Sequence, residues 1–213
     1  MNNFKIYLSE IFDQVLDVDE QIYCLIIQKM RKEKISDCIE FLSKLDTQKL
    51  LEEQLKMSKE IQLGKNSFNK IINIIKLIQH HYFNKYNYSE EIYIEIKEDL
   101  IKKTSQNKKI IQFFQFLVLL AAIDNNFIQC GSNSLNFLVQ MKVDLTNQNF
   151  ENINIQNTSL VGANFVGCNL NQLQFENVDI SGINLNGAQL FNCGWKNLIR
   201  LFFSNHHKKS FKK

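Results

Sequence analysis

Across residues 143–197 a large apolar residue returns at every fifth position without a slip. The series is Leu145, Phe150, Ile155, Leu160, Phe165, Leu170, Phe175, Ile180, Leu185, Leu190 and Trp195. Two places before each runs a second series, mostly small or β-branched: Val143, Gln148, Ile153, Thr158, Ala163, Cys168, Leu173, Val178, Ile183, Ala188 and Cys193. A helical face recurs about every 3.6 residues and a strand face every second residue, so a strict five fits neither. It fits a chain that turns a corner once per unit.

Two places after each central residue stands a turn former: Asn147, Asn152, Asn157, Gly162, Gly167, Gln172, Asn177, Gly182, Gly187, Asn192 and Asn197. All but Gln172 are Asn or Gly, the residues that accept positive φ at low steric cost. With Ala163-Asn164-Phe165-Val166-Gly167 as a close copy of its unit, the stretch resembles the pentapeptide-repeat family. The resemblance implies a right-handed, quadrilateral β-helix with four pentapeptides per coil, so that residues twenty apart stack. The implied inward ladders are Leu145/Phe165/Leu185, Phe150/Leu170/Leu190, Ile155/Phe175/Trp195 and Leu160/Ile180. At a strand spacing of about 4.8 Å the coil would stand only about 13 Å tall. One unit further on, Arg200 would face inward, so the coil is expected to end there.

Upstream, residues 1–125 carry apolar side chains at spacings of three and four and predict a helical domain. The clearest helix sets Phe68, Ile71, Ile72, Ile75, Ile78 and Tyr82 on one face, capped by Asn66 or Ser67 after a break at Gly64. A second is expected from Ser89, with Glu90 and Glu91 in its first turn and Lys102 and Lys103 in its last, which complements the helix dipole. Others are expected to start near Phe4, Asp19, Ser36 and Asp46, and a helix from Ser105 to Asp124, apolar nearly all round, should be the centre of the domain. Gly131 and weak periodicity mark 126–142 as a linker, with Leu135, Phe137, Leu138 and Met141 forming one or two helical turns. An open coil end exposes strand edges, and this short helix is the expected cover. The fold class is α+β: an N-terminal all-helical domain (1–125), linker and capping helix (126–142), the β-helix (143–197) and a basic C-terminal tail (198–213).

The chain as a whole also resembles the leading portion of a protist group in which a helical segment and a pentapeptide block precede a WD40-type β-propeller. The resemblance is carried by residues 157–165 and 190–197; only 198–213 follows here, with no propeller.

Little in the sequence points to catalysis. The histidines form two adjacent pairs, His80-His81 and His206-His207, and helical neighbours point about 100° apart, which is not the spacing of a metal-binding face. The five cysteines show no CxxC spacing, and with no signal peptide they read as reduced thiols in the cytoplasm. Cys24 and Cys38 sit among apolar neighbours and are expected to be buried structural thiols, and His81 is expected at the surface or at its boundary. Glycine-rich phosphate loops and GxSxG are missing, and Glu52-Glu53 and Glu90-Glu91 read as solvated helical charge. The longest apolar run, residues 110–123, is shorter than the roughly 20 residues of a membrane span.

The expected function is therefore that of a non-enzymatic intracellular interaction or adaptor protein, with no catalytic, cofactor-binding or metal-binding residues and an unidentified protein partner. Nucleic acid is not the expected partner of the coil: 143–197 carries Asp144, Glu151, Glu176 and Asp179 against Lys196, too sparse to imitate the dense phosphates of a duplex. The alternative is a nucleic-acid-directed or membrane-surface binder acting through Arg200, Lys208, Lys209, Lys212 and Lys213, or a truncated remnant of a WD40-type scaffold.

Overall fold

The computed structural model describes residues 3–57 and 67–199. Within them lie the helices α1 (Asn3–Leu16), α2 (Glu20–Lys32), α3 (Cys38–Ser43), α4 (Leu45–Met57), α5 (Ser67–His80), α6 (Ile94–Thr104), α7 (Lys108–Ala121) and α8 (Ile128–Gln140). The strands β1 (Asn154–Ser159), β2 (Gln174–Asp179) and β3 (Gly194–Lys196) follow and form one parallel sheet in the order β1-β2-β3.

Local signals set most helix starts. The Asp19 carboxylate accepts from the Gln21 amide at the head of α2, and Lys29, Arg31 and Lys32 occupy its last turn. Asp37, one residue after the expected Ser36, caps α3 through the Glu40 amide, and Asn107 caps α7 through Lys109 and Ile110. The expected start at Ser89 is corrected. Ser89 donates from both its amide (2.9 Å) and its hydroxyl (2.5 Å) to Asn87 Oδ1, closing a side-chain turn. That turn competes with helix, and α6 starts at Ile94 after a 3-10 turn at Glu91–Tyr93. In α5, Phe68, Ile71, Ile72, Ile75 and Ile78 are buried, whereas Tyr82 lies past the helix end in the 3-10 turn Tyr82–Asn84 and is 41% exposed. The expected break at Gly64 and the capping side chain at Asn66 or Ser67 lie outside what is described.

Helix α7 buries Ile110, Phe113, Phe114, Phe116, Leu117, Val118 and Leu120 at the centre of the helical region. Its Phe114 packs edge-on to Phe12 at 5.7 Å and against Phe137 of α8 at 5.4 Å. Helix α8 is longer than the short cover expected from 135: it begins at Ile128 and takes Gly131 into its interior. The glycine serves a close helix crossing. A Cβ built there would collide with the Ala121 Cβ of α7 and approach the Leu117 carbonyl oxygen to 3.1 Å. Gly131, Ser132, Asn133, Ser134 and Asn136 are all buried, so a polar stripe conceals the apolar periodicity of this helix.

Helix α8 ends where the repeats begin. Lys142 has a φ of 56°, its amide donates to the Val139 carbonyl at 3.0 Å, and the Val143 amide donates to the Leu138 carbonyl at 3.0 Å. These two bonds make a Schellman cap whose left-handed residue stands five places before Asn147. The helix cap thus shares the phase of the corners that follow.

Every one of the turn positions from Asn147 to Asn197 has a φ between 47° and 72°, including Gln172 at 60°. The chain returns into register after twenty residues: Ile155 pairs with Phe175 and Phe175 with Trp195, and Asn149 bridges Asn169, which bridges Gln189. Between coils, the amides of Gly162, Phe165, Gly167, Leu170 and Gln172 donate to the carbonyls of Ser181, Asn184, Asn186, Gln189 and Phe191 at 2.7–2.9 Å. Four corners are passed in each return, and at many of them an Asn or Asp accepts from the amide two residues on, as Asn149 does from Glu151 and Asp179 from Ser181. Leu145, Phe150, Ile155, Leu160, Phe165, Leu170, Phe175 and Ile180 are buried; Leu185, Leu190 and Trp195 of the last coil are half-buried. A single apolar core runs from α1 through α7 and α8 into the coil.

Candidate functional site

The two ends of the coil differ. Counting twenty residues back from β1 lands on 134–139, inside α8, so the helix stands where a preceding coil would lie. Its side chains take over that coil's hydrogen bonds. Ser132 Oγ accepts from the Gln156 amide at 2.9 Å, and Asn136 donates from Nδ2 to the Ser159 carbonyl at 2.5 Å. The two residues are one turn apart on the same face, the spacing that lets neighbouring side chains of a helix act together. Between them Asn133 faces the other way and fixes the segment after α5: its Nδ2 donates to the carbonyls of Phe83 (2.7 Å) and Tyr86 (2.8 Å), and its Oδ1 accepts from the Tyr88 amide (2.9 Å). None of these roles was read from the sequence. The signal that would have found Ser132 and Asn136 is the twenty-residue stack extended backwards by one coil.

Arg31 of α2 lies within electrostatic reach of Glu151 in the first coil. Burial pushes the Arg31 guanidinium below its ordinary pKa while the Glu151 carboxylate acts in the opposite direction, and Arg31 Nη2 is buried without a hydrogen-bond partner. At β1 the first coil is thus backed by α8, and that edge is occupied.

At the far end no helix follows the last coil among the described residues. The amides of Gly182, Leu185, Gly187, Leu190 and Asn192, whose counterparts one coil below are all bonded, have no backbone partner among the described residues. Half-buried Leu185, Ala188, Leu190, Cys193 and Trp195 form the floor of this end. Trp195 meets Phe175 edge-on at 5.5 Å. Phe191 at the rim is 71% exposed and Ile199 is 60% exposed. Leu198 packs on the core, and the Ile199 amide still donates to the Val178 carbonyl at 3.1 Å. The side walls present mainly Asn, Gln, Ser and Thr, with the Lys196–Glu176 ion pair linking two coils.

Groups weighed for chemistry fall elsewhere. Cys24 is exposed, correcting the expectation of burial: its helix neighbours Ile22, Tyr23, Ile26 and Ile27 take the inner face of α2 and leave it outside. Cys38 is buried, and burial followed by the Asp124 carboxylate pushes its thiol well above the ordinary range, so it is held protonated and unreactive. Cys168 and Cys193 occupy the small inward place and donate to the carbonyls of Leu145 (2.9 Å) and Leu170 (3.1 Å). His80 is exposed, but His81 is only 8% exposed, further inside than the surface or boundary place expected for it. Its Nδ1 accepts from the Phe83 amide at 2.9 Å and caps the 3-10 turn after α5, which draws the ring inward. Glu52 is half-buried, and Glu53, Glu90 and Glu91 are exposed. His206, His207, Arg200 and the basic tail lie outside the described residues. Among the described residues no cluster of His, Cys, Asp and Glu is arranged to hold a metal ion, and no helix is long and apolar enough to cross a membrane.

Comparison with known families agrees with this geometry. Residues 142–172 and 149–187 match the family of pentapeptide repeats, in eight copies. No curated protein and no solved structure gives a significant match to the chain. Most of the residues that set the corners and the twenty-residue register lie in the matched stretch, and residues 142–187 of this chain are pentapeptide repeats.

Proposed function

We propose that the chain is a non-enzymatic protein-interaction or adaptor protein of the cytoplasm, in which a helical domain carries a short right-handed, quadrilateral β-helix and presents its C-terminal end to a protein partner. The single observation that carries this reading is the asymmetry of the coil: α8 occupies one end, while the other offers an apolar floor and a row of amides without backbone partners among the described residues. An edge of this kind is a template for an added strand, and main-chain pairing over an apolar floor is a recurrent mode of peptide recognition. The corner at every fifth residue and the register of twenty support the quadrilateral form. Its hand follows from the strong preference of parallel strands in one sheet for right-handed connections.

The test is capture from native cells with the full chain tagged at its N-terminus, in parallel with the doubly substituted chain Phe191→Asp, Ile199→Asp. Both positions are exposed at the coil end, so the changes leave the core in place. The parent is expected to retain a specific protein that the variant loses. Retention of the same proteins by both would place the interaction elsewhere.

A further inference from the structure

A second surface lies on the side of α8 turned away from the coil. Asn133, fully buried in α8, commits its side-chain amide to the segment after α5, bonding the carbonyls of Phe83 and Tyr86 and the amide of Tyr88. Tyr88 is thereby held in the core, edge-on to Phe83 at 5.1 Å, and Tyr93 stacks on it at 4.7 Å with the rings 11° apart. Further out, Tyr82 and Tyr86 stack at 5.5 Å. Burial first, then the Glu90 carboxylate and Tyr86, raise the Tyr93 phenol above its ordinary pKa, so both groups lie beside that ring. The tyrosines form a strip that is rooted in the core at Tyr88 and open to solvent at Tyr86.

The two isoleucines that flank Tyr93 in sequence extend this strip. Ile92, in the 3-10 turn Glu91–Tyr93, is 63% exposed, and Ile94, the first residue of α6, is exposed as well. A single exposed apolar residue is ordinary, but apolar groups gathered beside aromatic rings mark a site of interaction. The charge around them is of one sign. Residues 86–96 hold Glu90, Glu91 and Glu95 and no basic residue, and all three carboxylates are exposed and form no ion pair among the described residues. Lys85 and Lys97 bound the stretch, and Lys97 has Glu98 beside it.

A partner that fits must bring cations and apolar groups together. The face of a tyrosine attracts a guanidinium, and carboxylates at the rim accept its remaining donors. The same carboxylates repel nucleic acid and anionic lipid. We infer that Tyr86, Ile92 and Ile94, rimmed by Glu90, Glu91 and Glu95, are a docking surface for a protein segment in which arginine alternates with large apolar residues. The hydrogen bonds of Asn133 hold the surface in shape before the partner arrives, which lowers the ordering cost of association. It lies across α8 from the coil, so it stands or falls separately from the interaction edge at the coil end.

The experiment titrates the full chain into a fluorescein-labelled peptide that alternates Arg with Leu, read by anisotropy. Two control peptides carry Glu in place of Arg or Ser in place of Leu. The parent is expected to bind the Arg–Leu peptide at least about tenfold tighter than either control. Ile92→Ser and, separately, Glu91→Lys are each expected to weaken that binding about tenfold, the loss typical of a residue central to an interface. Both positions are exposed, so circular dichroism of the variants should match the parent. The coil-end variant Phe191→Asp, Ile199→Asp should bind the peptide as the parent does. Equal binding of the three peptides, or no binding of the Arg–Leu peptide, would overturn the surface. So would parent affinity in both Ile92→Ser and Glu91→Lys. Loss of binding in the coil-end variant would move the peptide to the coil and also overturn it. Because the peptide needs no cellular partner, this surface can be found where capture at the coil end finds nothing, and the reverse.

Discussion

Asn136 of α8 donates from its side-chain amide to the main-chain carbonyl of Ser159, at 2.5 Å and across 23 residues of sequence. In a longer coil that carbonyl would accept from the backbone of the coil beneath. The helix therefore carries on its side chains what the coil carries on its main chain, and the strand edge β1 is sealed without another strand.

Asn136→Ala leaves the Ser159 carbonyl unpaired in a half-buried setting and removes packing from a buried position. The expected loss is about 1–3 kcal/mol in urea unfolding, the usual cost of stranding a buried hydrogen-bonding group. Ser132→Ala should act in the same direction through the Gln156 amide. Parent stability in both variants would show that the edge needs no cap.

Gly131→Ala places a methyl group against the Ala121 Cβ, where both groups sit on helix backbones and neither is free to swing away. Forcing α7 and α8 apart is expected to cost about 1–3 kcal/mol. The paired change Ala121→Gly should restore much of that loss in a double-mutant cycle. Independent, additive effects of the two changes would contradict the close crossing.

Gln172 is the one corner residue that is neither Asn nor Gly, yet it holds a φ of 60° like the rest. Gln172→Gly relieves the left-handed backbone and should stabilise the chain by about 0.5–1 kcal/mol. Gly162→Ala is the converse, because a Cβ there meets nothing within 4 Å and its φ is 72°, so any loss of about 1 kcal/mol is backbone strain alone. Thermal denaturation of the two variants should move in opposite directions.

Burial lowers the pKa of His81 below the ordinary histidine value, and its neutral form accepts the Phe83 amide. The folded state therefore binds fewer protons than the unfolded state in the window just below about pH 6.5. The stability contributed by neutral His81 is fully present above that pH and is lost as the pH falls toward the lower folded value. His81→Asn keeps a side-chain acceptor for the turn but does not titrate. Unfolding free energies measured between pH 7.5 and 5 should fall less steeply in the variant, and an identical slope would remove His81 from the pH dependence.

What the amino-acid order alone determined is whatever repeats within one unit. A corner needs a residue that accepts positive φ, and an inward place needs an apolar side chain; both demands recur every five residues, so the pentapeptide repeats and the α+β class were legible in the sequence. The same holds for Asp19, whose cap is satisfied two residues on. Tertiary structure alone decided the fate of groups whose partners are distant in sequence. Ser132, Asn133 and Asn136 read as a polar, weakly periodic segment, yet they lie in a buried helix because the groups they satisfy come from residues 83–88 on one side and from Gln156 and Ser159 on the other. Gly131 reads as a break and is a helix crossing, because the surface that demands its missing Cβ belongs to α7. A hydrogen bond or a close approach made across tens of residues leaves no period in the chain, and it becomes visible only when the partners stand together.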